Sequence, residues 1–156
     1  MENQPTQTNN RKLRLLVIDD EESIFEVIEG LLFREGYEFT YLPSGIEALT
    51  KIDEIQPDVI LLDLMMPEMD GIETCQKIKF NERWRPIPII MVTALSSKED
   101  LARCLEAGAD DFLSKPINSI ELRARVRSML RIKLQYDALA ATQQLRTLNL
   151  FNAFLN

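Results

Sequence analysis

Five side chains suited to phosphate and metal chemistry stand where apolar runs of this sequence end. Asp19 and Asp20 follow Leu13 to Ile18, Asp63 follows Val59 to Leu62, Thr93 follows Ile87 to Val92, and Lys115 follows Asp111 to Ser114. Three carboxylates gathered at one place repel one another, and their pKa values rise unless a cation joins them. All three are hard oxygen ligands with no imidazole or thiolate beside them. That donor set suits Mg2+, or Mn2+, held by one or two carboxylates with water and a phosphate completing the shell. Lys115 adds a point charge for an anion and Thr93 a hydroxyl donor, which leaves one carboxylate as the nucleophile for an acyl-phosphate intermediate. The chain has no histidine. His-based zinc sites, Ser-His and Cys-His nucleophile pairs, and a phosphohistidine donor role are therefore excluded. A single Asp after a strand is often a cap or turn residue. Four strand exits carrying complementary groups weigh against that reading, because buried polar groups need partners and here they supply one another.

These groups are positioned by an alternation of short elements. Val59 to Leu62 is a continuous apolar run between Pro57 and the Met66-Pro67 break, the pattern of a strand covered on both faces in a parallel sheet. Ligands of such sheets bind beyond the carboxyl ends of the strands, where Asp63 lies. Leu13 to Ile18, Glu38 to Leu42, Ile87 to Val92 and Asp111 to Ser114 read as the other four strands. Helical spacing appears in Ser23 to Arg34 before Gly36, in Ser44 to Ile55, in Ile72 to Phe80, and from Ser97 or Lys98 to Ala107 before Gly108. A last helix starts at Ser119 and reads as helix from Leu122 to Leu150. Strand and helix alternating five times specify a three-layer α/β sandwich with right-handed crossovers.

The chain of 156 residues is 46% hydrophobic and 28% charged, which fits one domain with a modest appendage. Residues 1–12 are read as a disordered tail, 13–134 as the domain and 135–156 as a helical extension. No apolar run approaches the roughly 20 residues of a membrane span, so a cytoplasmic protein without a membrane partner is expected. A formal charge of -7 argues against direct nucleic-acid binding through phosphates. Cys75 and Cys104 lack metal-ligand spacing and read as reduced structural thiols. In the extension, Leu134, Ala138, Ala141, Leu145, Leu148, Asn152 and Leu155 recur at alternating spacings of four and three. That is a coiled-coil seam with Asn152 at an a position, and it predicts a homodimer through this helix.

The acidic pair Asp19-Asp20, the turn from Asp63 to Gly71, Thr93-Ala94 and Lys115-Pro116, in this order on these elements, closely resemble the receiver domain of two-component response regulators. The resemblance covers Leu13 to about Leu134. It implies a flavodoxin-like, doubly wound five-stranded parallel sheet in the order 2-1-3-4-5. It implies that Asp63 accepts a phosphoryl group from a sensor histidine kinase or phosphotransfer protein. It further implies that Asp20, Asp63 and the Met65 backbone carbonyl ligate the metal directly, with Asp19 acting through water. Lys115 would pair with Asp63 and then with phosphoryl oxygens, Thr93 would move to bond them beside Ala94, and Phe112 would be the aromatic that turns inward. The Lys115-Pro116 bond would be cis. The activity implied is the chain's own phosphorylation and dephosphorylation, with output through the surface of the fourth helix, fifth strand and fifth helix. Apolar Met65 and Leu95 beside the site offer nothing to orient a water, which predicts slow self-hydrolysis.

Two other readings compete with this one. A haloacid-dehalogenase-like phosphatase needs a second Asp two positions after the nucleophile, where Met65 stands. A receiver-like binding module that takes no phosphoryl group would lack part of the constellation, and this chain lacks none. After Pro116 no winged-helix pattern is legible, and the exit helix resembles linkers that join receivers to cyclase, phosphodiesterase or kinase outputs.

Overall fold

In the computed structural model, which describes residues 11–94 and 97–155, five strands form one parallel sheet in the order β2-β1-β3-β4-β5. The strands are β1 (Arg14–Ile18), β2 (Glu38–Leu42), β3 (Val59–Asp63), β4 (Ile89–Thr93) and β5 (Asp111–Ser114). The helices are α1 (Glu22–Leu31), α2 (Gly45–Ile55), α3 (Gly71–Phe80), α4 (Lys98–Glu106) and α5 (Ser119–Leu155). The topology is the doubly wound order that the motifs imply.

Side chains of a strand alternate between its faces, and the apolar residues of the sheet divide accordingly. Leu16, Ile18, Ile60, Leu62, Ile89 and Met91 pack with Ala48 and Ile52 of α2, Cys75 and Ile78 of α3, and Cys104 of α4. Leu15, Val17, Leu61, Ile90, Val92 and Leu113 pack on the other side with Ile28 of α1 and Leu122, Val126 and Leu130 of α5. All five residues of β3 and of β4 are buried, which is why these strands read as unbroken apolar runs.

Helix ends follow local chemistry. Ser44, Asp70 and Ser97 each accept a hydrogen bond from the backbone N–H three residues on, capping α2, α3 and α4. The first helix is shorter than its apolar spacing suggests. It stops at Leu31, and a 3-10 turn at Phe33–Glu35 leads to Gly36, whose φ of 76° closes the element. The fourth strand starts at Ile89, because Pro88 precedes it and Ile87 bonds back to Trp84. Of the two methionines after Asp63, Met66 is buried in the core while Met65 is exposed.

One contact at the amino-terminal edge of the sheet was not legible in the sequence. Arg11, grouped by composition with the polar tail, grips Asp58 with both guanidinium nitrogens at 2.7 and 2.8 Å, and the Arg14 N–H donates to the same carboxylate at 2.8 Å. Asp58 stands just before β3, and so fixes the start of the strand that ends in Asp63.

Candidate functional site

The strand register brings the site together. Ile18 lies opposite Leu62, Asp63 opposite Val92 and Thr93 opposite Ser114, so residues 19, 63, 93 and 115 emerge at one edge within about a residue of each other. Carboxylate oxygens of Asp19, Asp20 and Asp63 all lie within 4.8 Å of one another. Among the described residues this is the one cluster of His, Cys, Asp or Glu spaced to hold a metal ion. Its donors are all carboxylate oxygens, so the residues present fit a hard divalent cation.

Lys115 reaches into the cluster from the end of β5. Its Nζ lies 3.1 Å from Asp19 Oδ2 and 3.4 Å from Asp63 Oδ1. Asp19 is held further: its Oδ1 accepts the Glu21 N–H at 2.9 Å, and its backbone carbonyl accepts the Tyr41 hydroxyl at 2.7 Å. Asp20, by contrast, is exposed. Burial, with the neighbouring Asp19 charge, pushes the Asp63 carboxyl up to about 6 against the pull of Lys115. For Lys115, burial works against the ammonium, but bonding to Asp19 and the charge of Asp63 outweigh it and raise the pKa. The site is thus a compressed anionic pocket with one cation drawn into it.

The remaining predicted positions fall around this centre. Met65 is 63% exposed and follows Asp63 by two. Thr93 is buried at the end of β4, its carbonyl accepting the Lys115 N–H at 2.9 Å, and Ala94 is exposed just beyond it. A cavity of about 180 Å3 is lined by Thr93, Phe112, Ser97, Leu101 and Cys104, so the Phe112 ring and Thr93 face one space. The Lys115-Pro116 peptide is cis. Leu95 lies outside the described residues. Cys75 and Cys104 are free and buried, and burial pushes the Cys75 thiol up to about 12, so it stays protonated at neutral pH.

Gly71 belongs to the motif for a reason the sequence did not state. A Cβ there would lie 2.2 Å from the Asp63 carbonyl oxygen and 2.8 Å from Leu64 Cα, and the Gly71 N–H donates to the Leu64 carbonyl at 2.8 Å. The first turn of α3 is pressed against the backbone that carries Asp63.

Comparisons with known proteins agree on one family. The model for the response regulator receiver domain matches residues 15–127. The chain is 45% identical over 126 residues to the response regulator PleD of Caulobacter vibrioides, covering 81% of this chain and 28% of that protein. It is 40% identical over 118 residues to RpaA of Synechocystis, a DNA-binding dual master transcriptional regulator, covering 76% of this chain and 49% of that protein. The chain therefore spans about a quarter to a half of the length of these curated relatives. Among solved structures, the receiver domain of the sensor histidine kinase PA1611 from Pseudomonas aeruginosa superposes with a TM-score of 0.70 at 32% identity, covering 77% of this chain and 98% of that one. That structure has a magnesium ion coordinated in its active-site cleft.

Proposed function

This chain belongs to the response regulator receiver domain family, and from that premise we propose that Asp63 is its phosphoacceptor, charged by a sensor histidine kinase or a phosphotransfer protein. The observation that carries the reading is Lys115 Nζ standing between Asp19 and Asp63 inside the three-carboxylate cluster. Asp63 is the member at the end of the central strand, buried and raised to about 6, so it is mostly ionised at pH 7 and poorly solvated. Such a carboxylate is a competent nucleophile toward phosphorus. Asp20, Asp63 and the Met65 carbonyl would hold Mg2+ or Mn2+ directly, and Asp19 through water. Bound there, the cation neutralises charge on the phosphoryl oxygens.

Lys115 holds Asp63 in place before transfer and meets phosphoryl oxygens afterwards. Thr93 donates its hydroxyl to the new dianion beside Ala94, and Phe112 turns into the cavity that the two residues share. The face made by α4, β5 and α5 changes as a result and carries the output. The only chemistry assigned to the chain is its own phosphorylation and dephosphorylation. Exposed, apolar Met65 beside the acceptor orients no water, which supports a long-lived phosphoryl group.

In this reading the receiver includes residues 13–134, with Arg11 clamped onto its edge and 135–156 as a helix that pairs two copies. Leu134, Leu145, Leu148 and Leu155 of that seam are all exposed on the single chain. The acidic charge favours protein partners over nucleic acid. DNA binding is a property of relatives that are about twice as long as the matched segment. Among the described residues no helix is long and apolar enough to cross a membrane, and the proposed compartment is the cytoplasm. Beryllofluoride with Mg2+, added to isotope-labelled protein, should shift the amide resonances of residues 63–65, 93 and 111–115. A spectrum unchanged at those positions would defeat the assignment.

A further inference from the structure

Beside the acidic cluster, away from Lys115, runs a groove of about 410 Å3 lined by Asp20, Leu64, Met65, Met66, Pro67, Asp70 and Arg103. Its floor is the turn that follows Asp63, and one wall is Asp20 of the cluster itself. Asp70 is occupied in capping α3, its Oδ1 accepting the Glu73 N–H at 2.9 Å. Arg103, on α4, is the single cation among the described residues of this lining. Among the described residues its ion-pair partner is Asp100, a loose 3.8 Å away, and the Arg103 side chain is 57% exposed. Arg103 thus lines the groove with no close carboxylate partner for its guanidinium among the described residues.

The geometry points to this groove as the place that receives the leaving half of a small acyl phosphate donor, with Arg103 binding the departing carboxylate. The inference rests on Asp63 being the acceptor. In the transfer from acetyl phosphate, an Asp63 carboxylate oxygen forms a bond to phosphorus. The bond from phosphorus to the acetate oxygen breaks, and acetate leaves with the electron pair. Negative charge therefore grows on the leaving group, beside Asp70, which repels it. Arg103 is the group in the groove that offsets that repulsion, with paired N–H donors matched to a carboxylate. Phosphoramidate gives the same phosphorylated protein by breaking a P–N bond and releasing neutral ammonia. It has no use for the guanidinium at the leaving group.

The test compares the two donors on the full chain with Mg2+. Arg103→Gln should lower the rate of phosphorylation by acetyl phosphate about fivefold to tenfold and the rate by phosphoramidate less than twofold, the difference expected of one charge-assisted contact in the transition state. Arg103→Lys, which keeps the charge but not the paired donors, should recover only part of the acetyl phosphate rate. An unchanged rate with both donors, or an equal loss with both, would overturn the inference, since a merely structural effect on the site does not distinguish leaving groups. If the wild-type chain takes up phosphoryl from neither donor, the acceptor reading itself falls, and this inference with it.

Discussion

The Asp63 carboxyl is worse off folded than unfolded as long as it is ionised. Burial and the Asp19 charge raise it to about 6, from an ordinary value near 3.8. A folded-state pKa above the unfolded one means that native protein binds the proton more tightly. The resulting stabilisation is fully present below about pH 4 and is lost as pH rises through about 6. Metal-free protein should therefore gain stability on acidification from pH 7 to 5 as far as this residue is concerned. Asp63→Asn should stabilise the metal-free protein at pH 7 by about 1–2 kcal/mol and flatten that part of the pH profile, allowing for partial solvent screening. Denaturant melts at the two pH values check both. Conversely, a metal ligand must be deprotonated, so Mg2+ affinity measured by titration should fall as pH drops through 6. The acidic groups themselves were legible from their places at the ends of apolar runs. The resemblance also implied the pairing of Lys115 with Asp63, but its contact with Asp19 was not legible, because that partner lies 96 positions away.

Among the elements, β3 and α3 carry the tightest constraints. Gly71→Ala would force a methyl group into the Asp63 carbonyl and Leu64, with nothing flexible to yield. The expected cost is about 2–4 kcal/mol of stability, together with a loss of phosphorylation larger than unfolding explains. Residual phosphorylation per folded molecule equal to wild type would contradict that close-approach account. At the other end of β3, burial opposes the Asp58 charge, but the Arg11 guanidinium and the Arg14 N–H outweigh it and hold the carboxyl below its usual range. Its contribution to stability is present above about pH 4 and fades as pH falls through the lowered folded value. Asp58→Ala should cost about 2–3 kcal/mol, since it orphans Arg11 and the Arg14 N–H. Thermal melts that match wild type would show the clamp to be idle. Strand and helix periods made all five strands and all five helices readable. This clamp was not readable, since Arg11 sits in a polar stretch 47 residues from its partner, and a periodic pattern says nothing about such pairs.

At the scale of the whole molecule, α5 runs from Ser119 to Leu155, and its buried residues Leu122, Val126, Met129 and Leu130 all lie in its first third. Beyond them Leu139, Leu145, Leu148, Leu150, Phe151 and Phe154 are exposed. So much uncovered apolar surface is the basis for proposing a second copy as its partner. Sedimentation should give a dimer for the full chain and a monomer for one ending near Leu134. Equal monomers, with and without beryllofluoride, would remove the paired-helix reading. The length of this helix was legible from its sequence, because no Gly or Pro interrupts it after Pro116. The seam read in the extension is weakly marked, because two of its positions are alanines and apolar neighbours lie on other faces.

The most direct measurement is the intact mass of the protein after incubation with acetyl phosphate and Mg2+. Wild type should gain one phosphoryl group, lost in base as acyl phosphates are, while Asp63→Asn gains none and chelation of the metal prevents the gain in wild type. A stable phosphoryl group on Asp63→Asn, or one acquired equally well without metal, would contradict the assignment of this site.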